Sequence, residues 1–459
     1  MRNLIHSQQR LGISLALITA AVVFMTPSFL FSQHRVVAYY PGWMKTKLPA
    51  PQVKFEYITH INHAFAWPTA SGTITAYDEI NHPELITEVH KAGRQILISL
   101  GGWGQSDGFS PMAADTNIRK TFIQNLLNFC TSRGYDGADI DWEFPATTAD
   151  RANLTALIKQ TREAFDQTDP ALLLTMVAVA GDWNGKWHDY AKLAEYVDWF
   201  NLMAYDFHGS WTNHAGHNAP LYAPATEYDG SAHQAVLYLH NSRGIPKIKL
   251  HLGMPFYGRE FNASQLYGPS TGGAELEYSS IVPRLKFGWD YFWDDVSKVP
   301  YLLNTSRTKV VTFDDSLSIS WKCNYVEQNG LGGVMIWALG QDVLAGKQPL
   351  IEAVGQAMAT ATGISQPQPV MVKGFLLFDN YPNPFNPTTT ISYYVDNDLV
   401  IKLSIYDVTG KLVTVLQNAR VPRGNNSVTW DASDYASGIY FYELQSVNFS
   451  AVKKMTLVK

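Results

Sequence analysis

A cluster of acidic side chains at a regular spacing is the feature of this sequence with the clearest chemical meaning. Within the segment Tyr135–Pro145, Asp139, Asp141 and Glu143 stand at alternate positions. Side chains at alternate positions of a β-strand lie on one face, so the three carboxyl groups would be neighbours there. Carboxylates this close repel one another when all are ionised, which can keep one of them protonated near neutral pH. A carboxyl group that is protonated near neutral pH is what general acid catalysis requires.

Two other interpretations of this cluster are an exposed acidic strand edge and a divalent-cation site. The residues between the acids include Ala138, Ile140 and Trp142, which indicate a buried strand rather than a solvated edge. The segment also lacks the Asp-Gly loop and the later bidentate glutamate of calcium-binding loops. We therefore predict a catalytic cluster that uses no metal ion and no cofactor.

The composition is that of a folded protein with a large core. The chain has 459 residues, of which 46% are hydrophobic, enough for one large barrel and a small module. Its formal net charge of −5 gives no reason to expect nucleic acid as a partner. The 13 tryptophans fit carbohydrate binding, because sugar rings stack on aromatic faces, but they fit a large core equally well.

Residues 1–32 have the order of segments that is typical of a secretory signal peptide. Arg2 and Arg10 precede an apolar run from Leu11 to Met25, and small or polar residues follow. A retained transmembrane helix is the alternative, but the run is shorter than the roughly 20 residues that span a bilayer. We expect an exported, monomeric mature protein that begins near Gln33 and has no membrane span.

Short apolar runs alternate with helical patterns over most of the chain. The eight runs begin near Val36, Tyr57, Gln95, Gly137, Leu172, Trp199, Lys249 and Gly333. Strands that alternate with helices imply a parallel sheet, and eight such units predict an α/β fold, the closed (β/α)8 TIM barrel. A doubly wound open sheet is the alternative, but no Gly-rich phosphate-binding motif follows the first run.

The predicted barrel spans residues 33–358 and is followed by a second domain. Within the barrel, the interval 259–315 is too long for a structureless loop and predicts a small α+β insertion. A proline-bearing polar linker covers 359–372. Residues 373–459 show strand patterns without helices, which favours an immunoglobulin-like β-sandwich.

The active sites of such barrels lie at the C-terminal ends of the strands. Besides the acids on the fourth strand, the candidate residues at these ends are Tyr39, Phe65, Gly102, Trp103, Met203, Tyr205, Asp206, Tyr257, Arg259 and Trp337. Ordinary core packing explains any one of them, and for Met203 alone it is the favoured explanation. The set as a whole predicts that polar and aromatic groups from separate strands converge on one mouth.

These motifs resemble glycoside hydrolase family 18, the chitinase family. The resemblance runs from Arg35 to about Gly355 and includes Val37–Trp43, Asn62–Ala66 and the complete acidic motif. The segment Trp293–Tyr301 resembles the chitinase insertion domain, which deepens the cleft in one subgroup. The resemblance implies a (β/α)8 barrel that hydrolyses β-1,4-linked N-acetylglucosamine in chitin or chito-oligosaccharides with retention.

The resemblance also implies residue roles. In this family the acetamido oxygen of the sugar attacks its own anomeric carbon in place of a protein nucleophile. Glu143 would protonate the leaving oxygen and later activate water. Asp141 would accept a hydrogen bond from the acetamide N–H and share a proton with Asp139 or Glu143. Tyr205 would donate its hydroxyl to the acetamide oxygen. Trp337 would form the floor under the sugar, and Asp206 would contact the substrate near the scissile bond.

Three histidines after the sixth strand, His208, His214 and His217, invite a zinc interpretation. The segment that holds them instead resembles the cleft wall of the family.

Two rivals to a chitinase are a catalytically silent chitin lectin, which typically lacks the terminal glutamate, and another family activity such as that of an endo-N-acetylglucosaminidase. The presence of Glu143, Asp141 and Tyr205 favours an enzyme over the lectin, and the resemblance to the insertion domain favours chitin over the other substrates.

The C-terminal segment resembles a type IX secretion sorting domain. The motifs that carry this likeness are Asn380–Pro387, Tyr406–Lys411 and Gly438–Phe441. The resemblance implies export through the periplasm, by the type IX machinery, to the cell surface or the medium. A spacer or a carbohydrate-binding sandwich is the alternative.

Overall fold

The computed structural model describes residues 34–223, 230–360, 375–377, 380, 383, 385–395, 398–408, 410–446 and 449–458. The predicted signal peptide and residues 361–372 of the predicted linker lie outside this set. Within it, no helix combines the length and the apolar character needed to cross a bilayer.

The first fourteen strands, in chain order, are β1 (Arg35–Pro41), β2 (His60–Pro68), β3 (Ile74–Ala76), β4 (Gln95–Gly101), β5 (Gly137–Asp141), β6 (Leu173–Val179), β7 (Trp199–Met203), β8 (Leu250–Pro255), β9 (Tyr257–Phe261), β10 (Gly273–Glu277), β11 (Trp289–Asp294), β12 (Val299–Asn304), β13 (Val310–Thr312) and β14 (Gly333–Trp337). Eight of them are parallel and run around the barrel in the order β1-β2-β4-β5-β6-β7-β8-β14. Because β1 pairs with both β2 and β14, the barrel is closed. The predicted (β/α)8 barrel is confirmed.

The helices are α1 (Pro83–Lys91), α2 (Phe109–Ala114), α3 (Thr116–Arg133), α4 (Thr148–Thr168), α5 (Asp182–Gly185), α6 (Tyr190–Leu193), α7 (Ala232–Leu237), α8 (Tyr278–Ile281), α9 (Ser316–Asn329) and α10 (Pro349–Thr360). Helix α9 has clear end signals: Asp315 and Ser318 form a capping box at its start, and Gly330 ends it with a φ of 65°. Helix α7 ends at Leu237, and a π-helical turn over Tyr238–Ser242 follows it directly.

Acidic and apolar side chains alternate along β5, so the two kinds lie on opposite faces of the strand. Ala138, Ile140 and Trp142 pack in the main hydrophobic core between strands and helices, where the Trp142 ring stacks on Phe109 at 5.2 Å. The intervening Asp139 and Asp141 are almost fully buried, although they are acidic. Successive strand residues point to opposite faces, so the acids face the inside of the barrel.

The insertion between β8 and α9 is a five-stranded antiparallel sheet with the order β10-β9-β13-β12-β11. The short helix α8 connects β10 to the following turn. This sheet has a small apolar cluster of its own, which includes Phe261, Leu303 and Val310. The α+β insertion expected from the sequence is therefore present.

The C-terminal strands are β15 (Phe375–Leu377), β16 (Thr388–Val395), β17 (Leu399–Asp407), β18 (Leu412–Val421), β19 (Gly424–Asp431), β20 (Gly438–Ser446) and β21 (Phe449–Leu457). They form two antiparallel sheets with the orders β15-β16-β19 and β18-β17-β20-β21. A separate hydrophobic core includes Ile391, Leu403, Tyr442 and Met455. The arrangement is consistent with the predicted β-sandwich.

Candidate active site

Asp139 lies inside the barrel and accepts hydrogen bonds from four other strands. Its Oδ2 accepts from the Tyr39 hydroxyl at 2.7 Å and from Ser99 Oγ at 2.8 Å. Its Oδ1 accepts from Thr175 Oγ1 at 2.6 Å and from Asn201 Nδ2 at 3.0 Å. Burial raises the pKa of Asp139, and these hydrogen bonds oppose that rise. Both oxygens of this carboxyl group are therefore fully engaged beneath the mouth.

Asp141 is the next acid on the inner face, and it is differently placed. It is 3% exposed, and its Oδ1 accepts no hydrogen bond from any residue that the structure describes. Burial, followed by the charges of Glu143 and Asp139, raises its pKa well above the ordinary value. Asp141 therefore carries a carboxyl oxygen that a ligand could engage.

Glu143 follows β5 and is half-buried. Its backbone N–H donates to Ser106 Oγ at 2.9 Å, which fixes the turn out of the strand. Burial, with the nearby charge of Asp206 as the second cause, raises its pKa to about 7. This fits the expectation that the acidic cluster contains a carboxyl group that is protonated near neutral pH.

The four donors to Asp139 are hydroxyl and amide groups. That Asp141 shares a proton with Asp139 or Glu143 stays a prediction.

Tyr205 and Asp206 follow β7, which is two strands around the barrel from β5. The Tyr205 hydroxyl is 3.9 Å from Met335 Sδ, a weak contact that leaves it available for a stronger acceptor. Burial and the nearby charges, with that of Asp141 first, raise its pKa well above the ordinary value. Asp206 adopts a φ of 60°, and its backbone N–H donates to Asn218 Oδ1 at 3.2 Å. Its side chain is thereby turned toward the insertion.

Asp206 is tied to two residues of β9. Its Oδ1 accepts from the Tyr257 hydroxyl at 2.8 Å and from Arg259 Nε and Nη2 at 3.0 and 2.5 Å. The Arg259 guanidinium also lies 5.1 Å from the ring centroid of Trp211, which is 59% exposed. Trp211 was not among the predicted site residues, because the sequence around a lone tryptophan in a loop does not indicate whether its ring faces the cleft.

Aromatic rings form the remaining wall. Trp337 is half-buried, stacks on Phe65 at 5.6 Å with 23° between the planes, and lies beside the partly buried Met203. Trp103, after β4, is 81% exposed. These positions suit contact with a ligand from the solvent side.

Three other residues predicted to bind substrate support their neighbours in this structure. Tyr39 is 2% exposed and donates to Asp139, and Phe65 is 5% exposed and stacks on the Trp337 ring. Gly102 has a φ of 85°, and an added Cβ would lie 2.7 Å from the Phe65 ring. Contact of these three residues with substrate stays a prediction.

The histidines after β7 serve packing and hydrogen bonding. His208 Nδ1 is 2.9 Å from the carbonyl oxygen of His217, and His217 Nε2 is 3.0 Å from Asp294 Oδ2 on β11. In the part of the chain that the structure describes, no three histidine, cysteine or acidic side chains are grouped so as to hold a metal ion.

Several known proteins and two family models are similar to this chain. The family model for glycosyl hydrolases family 18 matches residues 35–342, and that for the secretion system C-terminal sorting domain matches residues 379–458. Chitinase A1 of Niallia circulans is 30% identical over 67% of this chain and 56% of its own length. The alignment therefore spans about half of that relative.

Two further similarities cover more of the compared protein. Chitotriosidase-1 of Mus musculus is 32% identical over 71% of this chain and 78% of its own length. The crystal structure of the Group IV chitinase of Ostrinia furnacalis in complex with allosamidin is 29% identical, has a TM-score of 0.67, and covers 72% of this chain and 99% of that one. The barrel, the acidic cluster on β5 and the family match agree, and the chain belongs to glycosyl hydrolases family 18 with a C-terminal secretion system sorting domain.

Proposed function

We propose that this protein is a secreted chitinase that cleaves β-1,4 linkages between N-acetylglucosamine units with retention at the anomeric carbon. The observation that carries the proposal is the pairing of two acids. Glu143 is a half-buried acid whose pKa is raised to about 7, and Asp141 Oδ1 accepts no hydrogen bond from the described residues. The chitinases among the similar proteins support this substrate class.

In the proposed reaction, Glu143 donates its proton to the glycosidic oxygen that leaves. Asp141 accepts a hydrogen bond from the acetamide N–H and turns the acetamido oxygen toward the anomeric carbon of the same sugar. A neighbouring group on the substrate reacts at high effective concentration, so no protein nucleophile is required. Glu143, now a carboxylate, then takes a proton from the water that opens the intermediate.

Three other residues complete the proposed site. Burial and the surrounding acids keep the Tyr205 hydroxyl protonated, so it can donate to the acetamide oxygen during attack. The Trp337 ring forms the floor under the reacting sugar, since sugar rings pack on aromatic faces. Asp206, held by Tyr257 and Arg259, stands where it can contact the sugar near the scissile bond.

The decisive experiment replaces Glu143. We expect Glu143→Gln to lower turnover of a fluorogenic chitobioside at least about 100-fold, the usual scale for losing a general acid. Glu163→Gln is the matched control, because Glu163 lies on the surface of α4 in an exposed pair with Lys159. A Glu143→Gln variant that keeps most of its activity would defeat the assignment. An inactive wild-type protein that still binds chitin would indicate the lectin instead.

The substrate-assisted step has its own test. The first product released from a chito-oligosaccharide should be the β-anomer by NMR, and the corresponding glucoside without an acetamido group should not be cleaved. Allosamidin, present in the Ostrinia furnacalis structure, should inhibit the enzyme competitively. Cleavage of the glucoside at a comparable rate would contradict the role of the acetamido group.

We infer further that residues 1–32 are removed on export and that residues 373–459 direct the protein through the type IX secretion machinery. The match to a secretion system sorting domain supports this assignment. The proposed organisation is a catalytic barrel over 33–358 with an insertion at 259–315, a linker over 359–372, and the sorting domain. The mature protein would then act outside the cell or at its surface.

A further inference from the structure

Asn201 makes one of the four hydrogen bonds to Asp139 and differs in kind from the other three donors. Tyr39, Ser99 and Thr175 contribute hydroxyl groups, which can either donate or accept. Asn201 contributes its amide Nδ2, 3.0 Å from Asp139 Oδ1, and an amide nitrogen only donates. A donor of this kind favours the ionised form of Asp139 over the protonated form, because a charged acceptor makes the stronger hydrogen bond.

The orientation of the Asn201 amide is set by a second donor. The indole Nε1 of Trp199 lies 3.1 Å from Asn201 Oδ1, and an indole N–H can only donate. The amide oxygen must therefore face Trp199, which leaves the amide nitrogen facing Asp139. Trp199 is fully buried and is held by the Arg35 guanidinium, 4.9 Å from its ring centroid, and by the His60 ring at 4.8 Å.

We propose that Asn201, oriented by Trp199, is a positioning residue that stabilises the carboxylate form of Asp139 beneath the active site by donating to its Oδ1. The inference rests on the proposed function, because the Asp139 charge acts on Asp141, which would hold the acetamide. Asn201 is fully buried, and its Nδ2 lies 3.0 Å from Asp139 Oδ1 and 3.5 Å from the hydroxyl oxygen of Tyr39.

The ionisable groups that face Asp139 are few. They are Tyr39 from β1, Asp141 from the same strand and Tyr205 from the segment after β7. The pKa values of both tyrosines are raised well above the ordinary value, chiefly by burial, so both stay neutral over the working pH range. Asp141 is therefore the neighbour that competes with Asp139 for negative charge, and losing the Asn201 donor should favour a proton on Asp139.

The test measures Asp139 directly as well as activity. In protein labelled with 13C at the aspartate carboxyl groups, the Asp139 signal is identified by its loss in Asp139→Asn. We expect Asn201→Leu to move the titration of that signal upward by about 1–2 pH units, the scale of one hydrogen bond to a charged group. The acidic limb of kcat/KM on the chitobioside should move upward with it.

Asn62→Leu is the matched control. Asn62 is a fully buried asparagine on β2 whose side chain has no hydrogen-bond partner among the described residues. The same substitution there should leave the Asp139 titration and the acidic limb in place. An equal shift in Asn62→Leu would show a general effect of losing a buried amide and would overturn the proposal.

Asn201→Asp is the second variant if Asn201→Leu does not fold. It keeps the shape and an acceptor for Trp199, but it places two carboxyl groups in contact, so the pair must share a proton and the shift should be larger. A folded Asn201 variant with an unchanged Asp139 titration would overturn the proposal. An inactive wild-type protein would defeat the proposed function, while the carboxyl titration would still decide the role of Asn201.

Discussion

Glu143 carries a cost to folding that its proposed role explains. Its pKa rises from an ordinary 4.5 to about 7, chiefly through burial. A raised folded-state pKa contributes stability below the unfolded value and loses it as the pH rises through the folded value. At pH 8 the ionised form therefore destabilises the protein, by about 2–3 kcal/mol after a discount for partial exposure.

Glu143→Gln should accordingly be more stable than the wild type at pH 8, because it removes the charge without changing the shape. The difference should shrink as the pH falls through 7 and vanish below about 4.5, where Glu143 is protonated in both folded and unfolded chains. Thermal unfolding from pH 4 to pH 8 measures it. Equal unfolding temperatures at pH 8 would mean that Glu143 is not held in an unfavourable environment.

Asp206 is the second cause of the raised Glu143 pKa. Asp206→Asn removes that charge and retains an acceptor for Tyr257 and Arg259, so the Glu143 pKa should fall. The alkaline limb of the kcat profile, which reports the loss of the general acid, should then move to lower pH. An alkaline limb that moves upward or stays fixed would show that another group governs it.

The candidate catalytic residues were the easiest to identify in the sequence, because acidic side chains are costly to bury. Alternate acids within an apolar run, such as Asp139 and Asp141, have few explanations other than function. The residues that support them gave no such signal: Asn201 and Thr175 are ordinary strand residues in the sequence, and Trp211 differs from a core tryptophan only in its surroundings. Their roles depend on contacts between strands far apart in the chain.

At the scale of single elements, α9 carries a buried ion pair. Lys322 Nζ lies 2.6 Å from Asp314 Oδ2, and both side chains are at most 1% exposed. Lys322→Met should lower the free energy of unfolding by about 3–5 kcal/mol, because it leaves the Asp314 carboxylate buried and unpaired. Urea unfolding measures the change.

Two further variants test whether the unpaired buried charge causes the loss of stability in Lys322→Met. The double variant Asp314→Leu/Lys322→Met should recover much of the lost stability, since no uncompensated charge is left inside. Lys298→Met, which breaks a more exposed pair with Asp295, should cost no more than about 1 kcal/mol. A loss for Lys322→Met as small as that for Lys298→Met would refute the importance of the buried pair.

Elements with local end signals were predicted well. Helix α9 illustrates this, because Asp315 before its start and Gly330 after its end are visible in the sequence and cap the helix in the structure. The short strand β3 and the short helices α5 and α6 were not predicted, since they have too few residues for a periodic pattern. Strand β16 was also missed, although it supplies Ile391 and Tyr393 to the C-terminal core.

At the scale of the whole molecule, the two hydrophobic cores predict separable functions. The barrel core includes Val36 and Met358, and the C-terminal core includes Leu377 and Leu457, with no residue in common. Deletion of Lys373–Lys459 should leave kcat on the chitobioside unchanged, because every predicted catalytic residue precedes it. In the native host the truncated protein should accumulate in the periplasm.

Cell fractionation with an activity assay checks that prediction. Normal release of the truncated protein into the medium would remove the sorting role, and loss of activity in the purified truncation would show that the C-terminal strands support the barrel. Replacement of Lys373–Lys459 by an unrelated β-sandwich distinguishes a specific sorting signal from a mere spacer.

Because the barrel must close, the protein can become active only after its last barrel strand has been synthesised. Strand β1 pairs with β14 as well as β2, and the mouth combines Tyr39 near the start with Trp337. While Gly333–Trp337 is still inside the ribosome, the nascent chain lacks β14. One edge of β1 is then unpaired, and the Trp337 ring is not yet in place at the mouth. Translation products that stop earlier should be inert toward chitin, so a message broken upstream of that codon yields no partial enzyme.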